Sequence, residues 1–120
     1  MVQKIQMVIS MIEHDLDRDL PLEELAQRVN LSYSRLRHVF KAETGMTPAR
    51  YRKALRMQKA KELVEETFLS IKEIMTSVGI KDKNQFARDF RRAYGLTPSE
   101  YRTHRVNHLK AKAAVKSTAK

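Results

Sequence analysis

Two sets of side chains in this chain share a spacing and a chemistry. Ser34, Arg37, His38 and Lys41 recur at intervals of 3, 1 and 3. On a helix that spacing puts them on one side, opposite Leu36, Val39 and Phe40. About fifty residues on, Asn84, Gln85, Arg88, Arg91 and Arg92 share one side, opposite Phe86, Phe90 and Ala93. Neither outward set contains a carboxylate; Glu43 and Asp89 fall nearer the apolar sides. Arginine presents a planar fork of donors that pairs with guanine, and Asn or Gln pairs with adenine. Lys41, Arg91 and Arg92 are of the type that neutralises phosphate. On one helix such a face is most simply a solvated surface. Two of them, similarly framed, point to a polyanion.

The charge balance agrees. The chain has 24 Lys and Arg against 14 Asp and Glu, a formal charge of +10. Residues 1–30 hold three bases and six acids, residues 31–102 sixteen bases and eight acids, and residues 103–120 five bases and no acid. A basic body behind an acidic N-terminal segment favours nucleic acid first and an anionic membrane second. No apolar run approaches the roughly 20 residues of a membrane span, and no signal peptide is visible. The absence of Cys removes disulfides and thiolate metal sites and fits a reducing, cytoplasmic compartment.

Catalysis finds little support. No Ser/His/Asp or Cys/His arrangement and no glycine-rich phosphate loop occurs, so neither an enzyme nor a cofactor is expected. His104 and His108 stand four apart, a spacing that can hold a metal, but no third ligand is near. Tyr51 and Tyr101 are expected to pack, and the Met residues to fill core.

The elements that must position the two faces are all helical. Val2, Ile5, Ile9, Ile12 and Leu16 form a first stripe. "DLDRDLP" breaks it, and Pro21 suits the first position of the next helix, whose stripe is Leu22, Leu25, Ala26 and Val29. "NLS" interrupts, and Ser32 caps a helix to about Thr44 that Gly45 ends. Thr47-Pro48 opens a helix to about Glu66 with Tyr51, Leu55, Met57, Ala60, Leu63 and Val64 as its apolar positions. Ser70 and Glu73 form a capping box for a helix through Val78, closed by Gly79. A helix over about Lys83–Tyr94 ends at Gly95, and Thr97 with Glu100 caps a last short one. No window alternates as a strand does.

The chain also repeats itself. "GMTPARYR" (45–52) and "GLTPSEYR" (95–102) share five of eight letters at an offset of 50, and hold two of the three Gly and two of the three Pro. "LEELAQRVNLS" (22–32) matches "IKEIMTSVGIK" (71–81) at an offset of 49. One extra residue therefore sits near Asp82. Each copy reads as a short helix, a tight turn and a second helix, the helix-turn-helix plan.

In these residues the chain resembles the DNA-binding domain of AraC/XylS-type bacterial transcription regulators over about residues 4–102. The second copy carries the most telling stretch: the G-x-x-D turn of Gly79–Asp82, the F-x-R-x-F of Phe86–Phe90, and the G-x-T-P-x-x-Y-R ending. Ile80 replaces a usual aromatic and Met75 a usual small residue, both at positions expected to be buried, and Pro21 stands where Ser or Thr is frequent. The resemblance implies an all-α fold of about seven helices, two homeodomain-like helix-turn-helix subdomains joined by a central connector. Residues 103–120, rich in Lys, Ala, Ser and Thr with little to bury, read by composition as a basic, disordered tail; the resemblance assigns residues 1–47 to the first unit, 48–66 to the connector and 67–102 to the second unit. It implies sequence-specific duplex DNA binding, with helices 32–44 and 83–94 in adjacent major grooves. Ser34, Arg37 and His38, and Lys83, Asn84, Gln85 and Arg88, would face bases; the helical wheel independently supports all but Lys83. A 19-residue connector of roughly 28 Å compares with about 34 Å between successive major-groove faces.

Two other classes compete: a non-specific architectural DNA-binding protein, marked by a steep salt dependence without sequence preference, and a protein-interaction module for an acidic partner. RNA polymerase and a separate sensing or dimerisation domain are the protein partners the resemblance implies. No such domain fits in 120 residues, which leaves a stand-alone regulator or a fragment of a longer chain.

Overall fold

The computed structural model describes residues 1–105, and these are helical throughout apart from turns and caps. The helices are α1 (Val2–His14), α2 (Leu22–Arg28), α3 (Tyr33–Thr44), α4 (Pro48–Glu66), α5 (Ile71–Val78) and α6 (Lys83–Tyr94). A seventh, α7, opens at 98 and is helical through 105. The expectation of a disordered tail falls from 106 onward outside the described residues, as does His108; residues 103–105 continue α7. No helix among the described residues is long and apolar enough to cross a membrane.

The chain divides into two units, Met1–Gln58 and a second from Lys59 onward, so the division falls within α4. In the first unit, α1, α2 and α3 enclose one core. Ile5, Val8 and Ile12 come from α1, Leu22, Leu25 and Ala26 from α2, and Leu36, Val39 and Phe40 from α3. The buried line of α1 runs through Ile5, Val8 and Ile12, so Val8 takes the central place expected of Ile9, which is only partly covered. Val2, expected at the head of the stripe, lies in the first helical turn and is 54% exposed instead. Tyr51 and Leu55 of α4 pack against the same core.

In the second unit the buried side chains among the described residues are Ala60 and Val64 of α4, Ile74, Met75 and Val78 of α5, Phe86 and Phe90 of α6, and Pro98 of α7. Phe90 is the hub of an aromatic cluster. Its ring meets Phe86 at 5.8 Å, Tyr94 at 4.8 Å and Tyr101 at 5.6 Å, all edge-on, the arrangement that ring quadrupoles favour. Of the two unusual residues in this unit, Met75 is buried as expected and Ile80 is only partly covered.

The chain is punctuated by local chemistry. Ser32 Oγ accepts from the Arg35 N–H at 3.1 Å at the start of α3. Gly45, Gly79 and Gly95 end α3, α5 and α6 in the left-handed region, where a Cβ is costly. The turn between α2 and α3 uses Asn30 at φ 58 where the sister turn uses Gly79 at φ 77; Asn is among the few side chains that tolerate this region. Pro21 stands at the N-cap of α2, one position earlier than expected, and offers no side-chain cap. Glu23 and Glu24 in the first turn compensate through the helix dipole. In the sister unit, Ser70 and Glu73 make both bonds of a capping box.

Candidate nucleic-acid interface

Each unit presents its second helix on a rigid mount. In the first, α3 is pinned by Leu36 and Phe40, both with no exposed surface, and by Val39 at 8%. Phe40 also stacks edge-on against Tyr51, at 5.4 Å between centroids. This anchoring leaves the other side of α3 in solvent, and Ser34, Arg37, His38 and Lys41 are all exposed there. In the second unit, Phe86 and Phe90 pin α6. Lys83, Asn84, Gln85, Arg88, Arg91 and Arg92 are all exposed. Ala93, expected among the inward residues, is also exposed; in the last turn it is Tyr94, whose ring lies 4.8 Å from that of Phe90, that turns inward.

The start of α6 is set by a residue that periodicity did not single out. Asp82 is its N-cap, and Asp82 Oδ1 accepts from the Gln85 N–H at 3.0 Å. Asp82 thus does for α6 what Ser32 does for α3. The signal was present in the sequence, since Asp is among the strongest N-caps. The extra residue between the two repeat offsets lies in this turn.

The outward face of α6 is internally wired. Arg88 Nη2 donates to Gln85 Oε1 at 2.9 Å, and Gln85 Nε2 donates to Asp89 Oδ1 at 2.9 Å. Asp89, read from spacing as nearer the apolar side, is half-buried and still reaches this face. Farther along, Arg91 helps to hold the Glu100 carboxyl below its ordinary range, behind the larger contribution of the Thr97 cap.

Several cations counted toward the basic balance serve the fold. Arg52 Nη1 donates to the Leu20 carbonyl at 2.7 Å. Arg102 donates to the carbonyls of Val64 at 3.4 Å and Thr67 at 3.3 Å, and to that of Leu69. Leu20 and Leu69 stand two residues before α2 and α5 respectively. The final Arg of each repeated octapeptide therefore ties down the approach to the first helix of its helix-turn-helix, α2 or α5. Arg56 donates to the carbonyls of Leu16 and Arg18, each at 3.0 Å. Burial, and next the neighbouring Arg52, pull its guanidinium below the ordinary value. Desolvation disfavours the charged form, and the carbonyls and Asp19 offset that cost. Tyr101 does more than pack: its hydroxyl donates to the Glu65 carboxylate. That bond is the main reason Glu65 is held below, and Tyr101 above, the ordinary range.

The geometry thus supplies two exposed faces of donor side chains, the second with two amides, on helices that buried rings hold in place. Similarity to known proteins runs along the same elements. A helix-turn-helix domain family model matches residues 25–104. The HTH-type transcriptional activator RhaS of Escherichia fergusonii is 34% identical over 102 residues, 85% of this chain and 37% of that protein. A transcriptional regulator of the AraC-type DNA-binding group from Chromobacterium violaceum superposes with a TM-score of 0.77 at 28% identity, covering 86% of this chain and 92% of that one. The DNA-binding domain of AdpA, a global transcriptional factor solved with a target DNA, gives 0.78 at 26% identity, covering 84% and 91%. The chain spans between 12% and 37% of the length of the first curated relatives it matches.

Proposed function

The chain belongs to the AraC-type family of helix-turn-helix transcription regulators, and from that premise we propose that it binds duplex DNA sequence-specifically to regulate transcription, through α3 and α6. It acts by binding and without catalysis. The observation that carries this reading is the paired mount: two exposed faces of donor side chains, Ser34, Arg37, His38 and Lys41 on α3 and Asn84, Gln85, Arg88, Arg91 and Arg92 on α6, backed by buried Phe40 and by buried Phe86 and Phe90 respectively. Ser34, Arg37 and His38 of α3, and Lys83, Asn84, Gln85 and Arg88 of α6, meet base edges in the major groove. Lys41, Arg91 and Arg92 meet phosphates. The two helices read adjacent major-groove segments, and α4, at 19 residues and roughly 28 Å, is of a length suited to that spacing. A separate sensing or dimerisation domain and RNA polymerase are its protein partners, and it works in the cytoplasm.

The test is selection of preferred sites from random duplexes, followed by the same selection with Arg37→Ala and Arg88→Ala. The wild-type chain is expected to recover a site with two half-sites about 10 base pairs apart. Each variant is expected to relax the preferred bases in one half-site and to lose about 1–3 kcal/mol of discrimination there. Equal affinity for all duplexes with a steep salt dependence would instead establish a non-specific architectural protein.

A further inference from the structure

Asp89 is the one carboxylate of α6, and it reaches a face built for a polyanion. Like-charge repulsion there costs affinity for any duplex, so its benefit has to lie elsewhere. The hydrogen bonds show where. Gln85 Nε2 donates to Asp89 Oδ1, and Arg88 Nη2 donates to Gln85 Oε1, both at 2.9 Å. A glutamine amide has two ends of similar shape and opposite polarity; an ionised carboxylate only accepts and a guanidinium only donates. Between Asp89 and Arg88 the amide has one orientation that satisfies both. Flipped, it sets oxygen against carboxylate and NH2 against guanidinium. Asp89 therefore decides which way Gln85 points, and Gln85 Oε1 in turn holds one edge of Arg88.

The first unit has no counterpart. At the 50-residue offset, Gln85, Arg88 and Asp89 correspond to Arg35, His38 and Val39. Val39 is 8% exposed and belongs to the core; its side chain offers no acceptor.

We propose that Asp89 is a positioning residue for base discrimination by the second unit: through Gln85 it sets Arg88 before DNA arrives. The proposal rests on the reading that α6 faces bases. A side chain already held in its bound arrangement has less freedom to lose on binding, and it is less able to reshuffle to suit a wrong base. The second reader is thus rigid and selective, while the first adapts.

The experiment measures binding by the full chain to its selected duplex, to all single-base variants of that duplex, and to random duplex at one salt concentration. Asp89→Ala is expected to reduce discrimination about fivefold at the base pairs under the second unit, the ratio expected for one hydrogen bond of typical net strength. Discrimination under the first unit should not change, and random-duplex affinity should rise. Asp89→Asn keeps an acceptor in place and removes the charge. It should restore most of the discrimination while retaining the higher random-duplex affinity. An unchanged base profile in Asp89→Ala overturns the proposal. So does an Asp89→Asn variant as relaxed as Asp89→Ala, since charge and not the relay would then be at work. Arg88→Ala in the same assay separates the two levels. If it leaves the profile under the second unit unchanged, the reading of α6 itself fails. If it relaxes that profile and Asp89→Ala does not, only the role of Asp89 fails.

Discussion

Replacing Arg102 by Met keeps the aliphatic stem and deletes every N–H donor. The side chain donates to three carbonyls, those of Val64, Thr67 and Leu69, at sites that are partly buried. A hydrogen bond to a charged group contributes roughly 1.5–3 kcal/mol net. Two of these bonds are long, at 3.3 and 3.4 Å, and water can partly replace the lost donors, so the expected loss is about 3 kcal/mol rather than three full bonds. The sister change, Arg52→Met, removes one bond to Leu20, at 2.7 Å, and is expected to cost about 1.5 kcal/mol. Amide hydrogen exchange in the full chain resolves the units separately. The Phe86 amide, bonded to the Asp82 carbonyl, reports on the second unit, and the Leu36 amide, bonded to the Ser32 carbonyl, reports on the first. Arg102→Met should lower protection at Phe86 by about twice the free energy that Arg52→Met removes at Leu36. If the loss at Phe86 is no larger than that at Leu36, the carbonyl clamp is not what the repeated "YR" contributes here, and the reasoning is refuted.

Two further outcomes follow from local chemistry. Ser32→Ala and Asp82→Ala each remove the acceptor that opens a reading helix, and each should cost about 1 kcal/mol and speed exchange at the Arg35 or Gln85 amide respectively. The Tyr101–Glu65 bond gives a pH signature. Glu65 is held below its ordinary value, chiefly by that bond, so its contribution is present above the unfolded pKa of about 4.5 and is lost as pH falls through the folded value. Tyr101 is held above its ordinary value of 10.0, chiefly by the same bond, so its contribution is present below that pH and lost as pH rises through the folded value. The urea midpoint of Tyr101→Phe should therefore lie furthest below that of the parent between about pH 5 and pH 10 and approach it on both flanks. A pH-independent gap would show that what the hydroxyl contributes does not depend on the Glu65 charge.

Much of the fold was legible because its signals are local. A cap, a left-handed glycine and a helical stripe each act within four or five residues. Ser32, Gly45, Thr47, Ser70, Gly79 and Gly95 therefore marked where helices begin and end. The two reading faces were legible for the same reason: Leu36, Val39 and Phe40, and Phe86 and Phe90, had to face a core, and helical geometry then turned Arg37 and Arg88 outward. Val2, Ile9 and Ala93 differ from expectation because a periodic stripe fixes a helix face only to within one position and does not say where along the helix its cover ends. The sequence by itself determined the elements, their ends and which side of each reader meets solvent.

Tertiary structure decided what the charges are for. Arg52, Arg56 and Arg102 are indistinguishable by composition from Arg37 and Arg88, yet they are spent on carbonyls 32 to 40 residues away. Only a folded chain brings those groups within hydrogen-bond distance. The Asp89–Gln85 bond, spanning four residues, is by contrast local to α6; packing decides only that Asp89 is half-buried. A charge acquires its role from the low-dielectric pocket or the open water it ends in, and that is a property of the packed units.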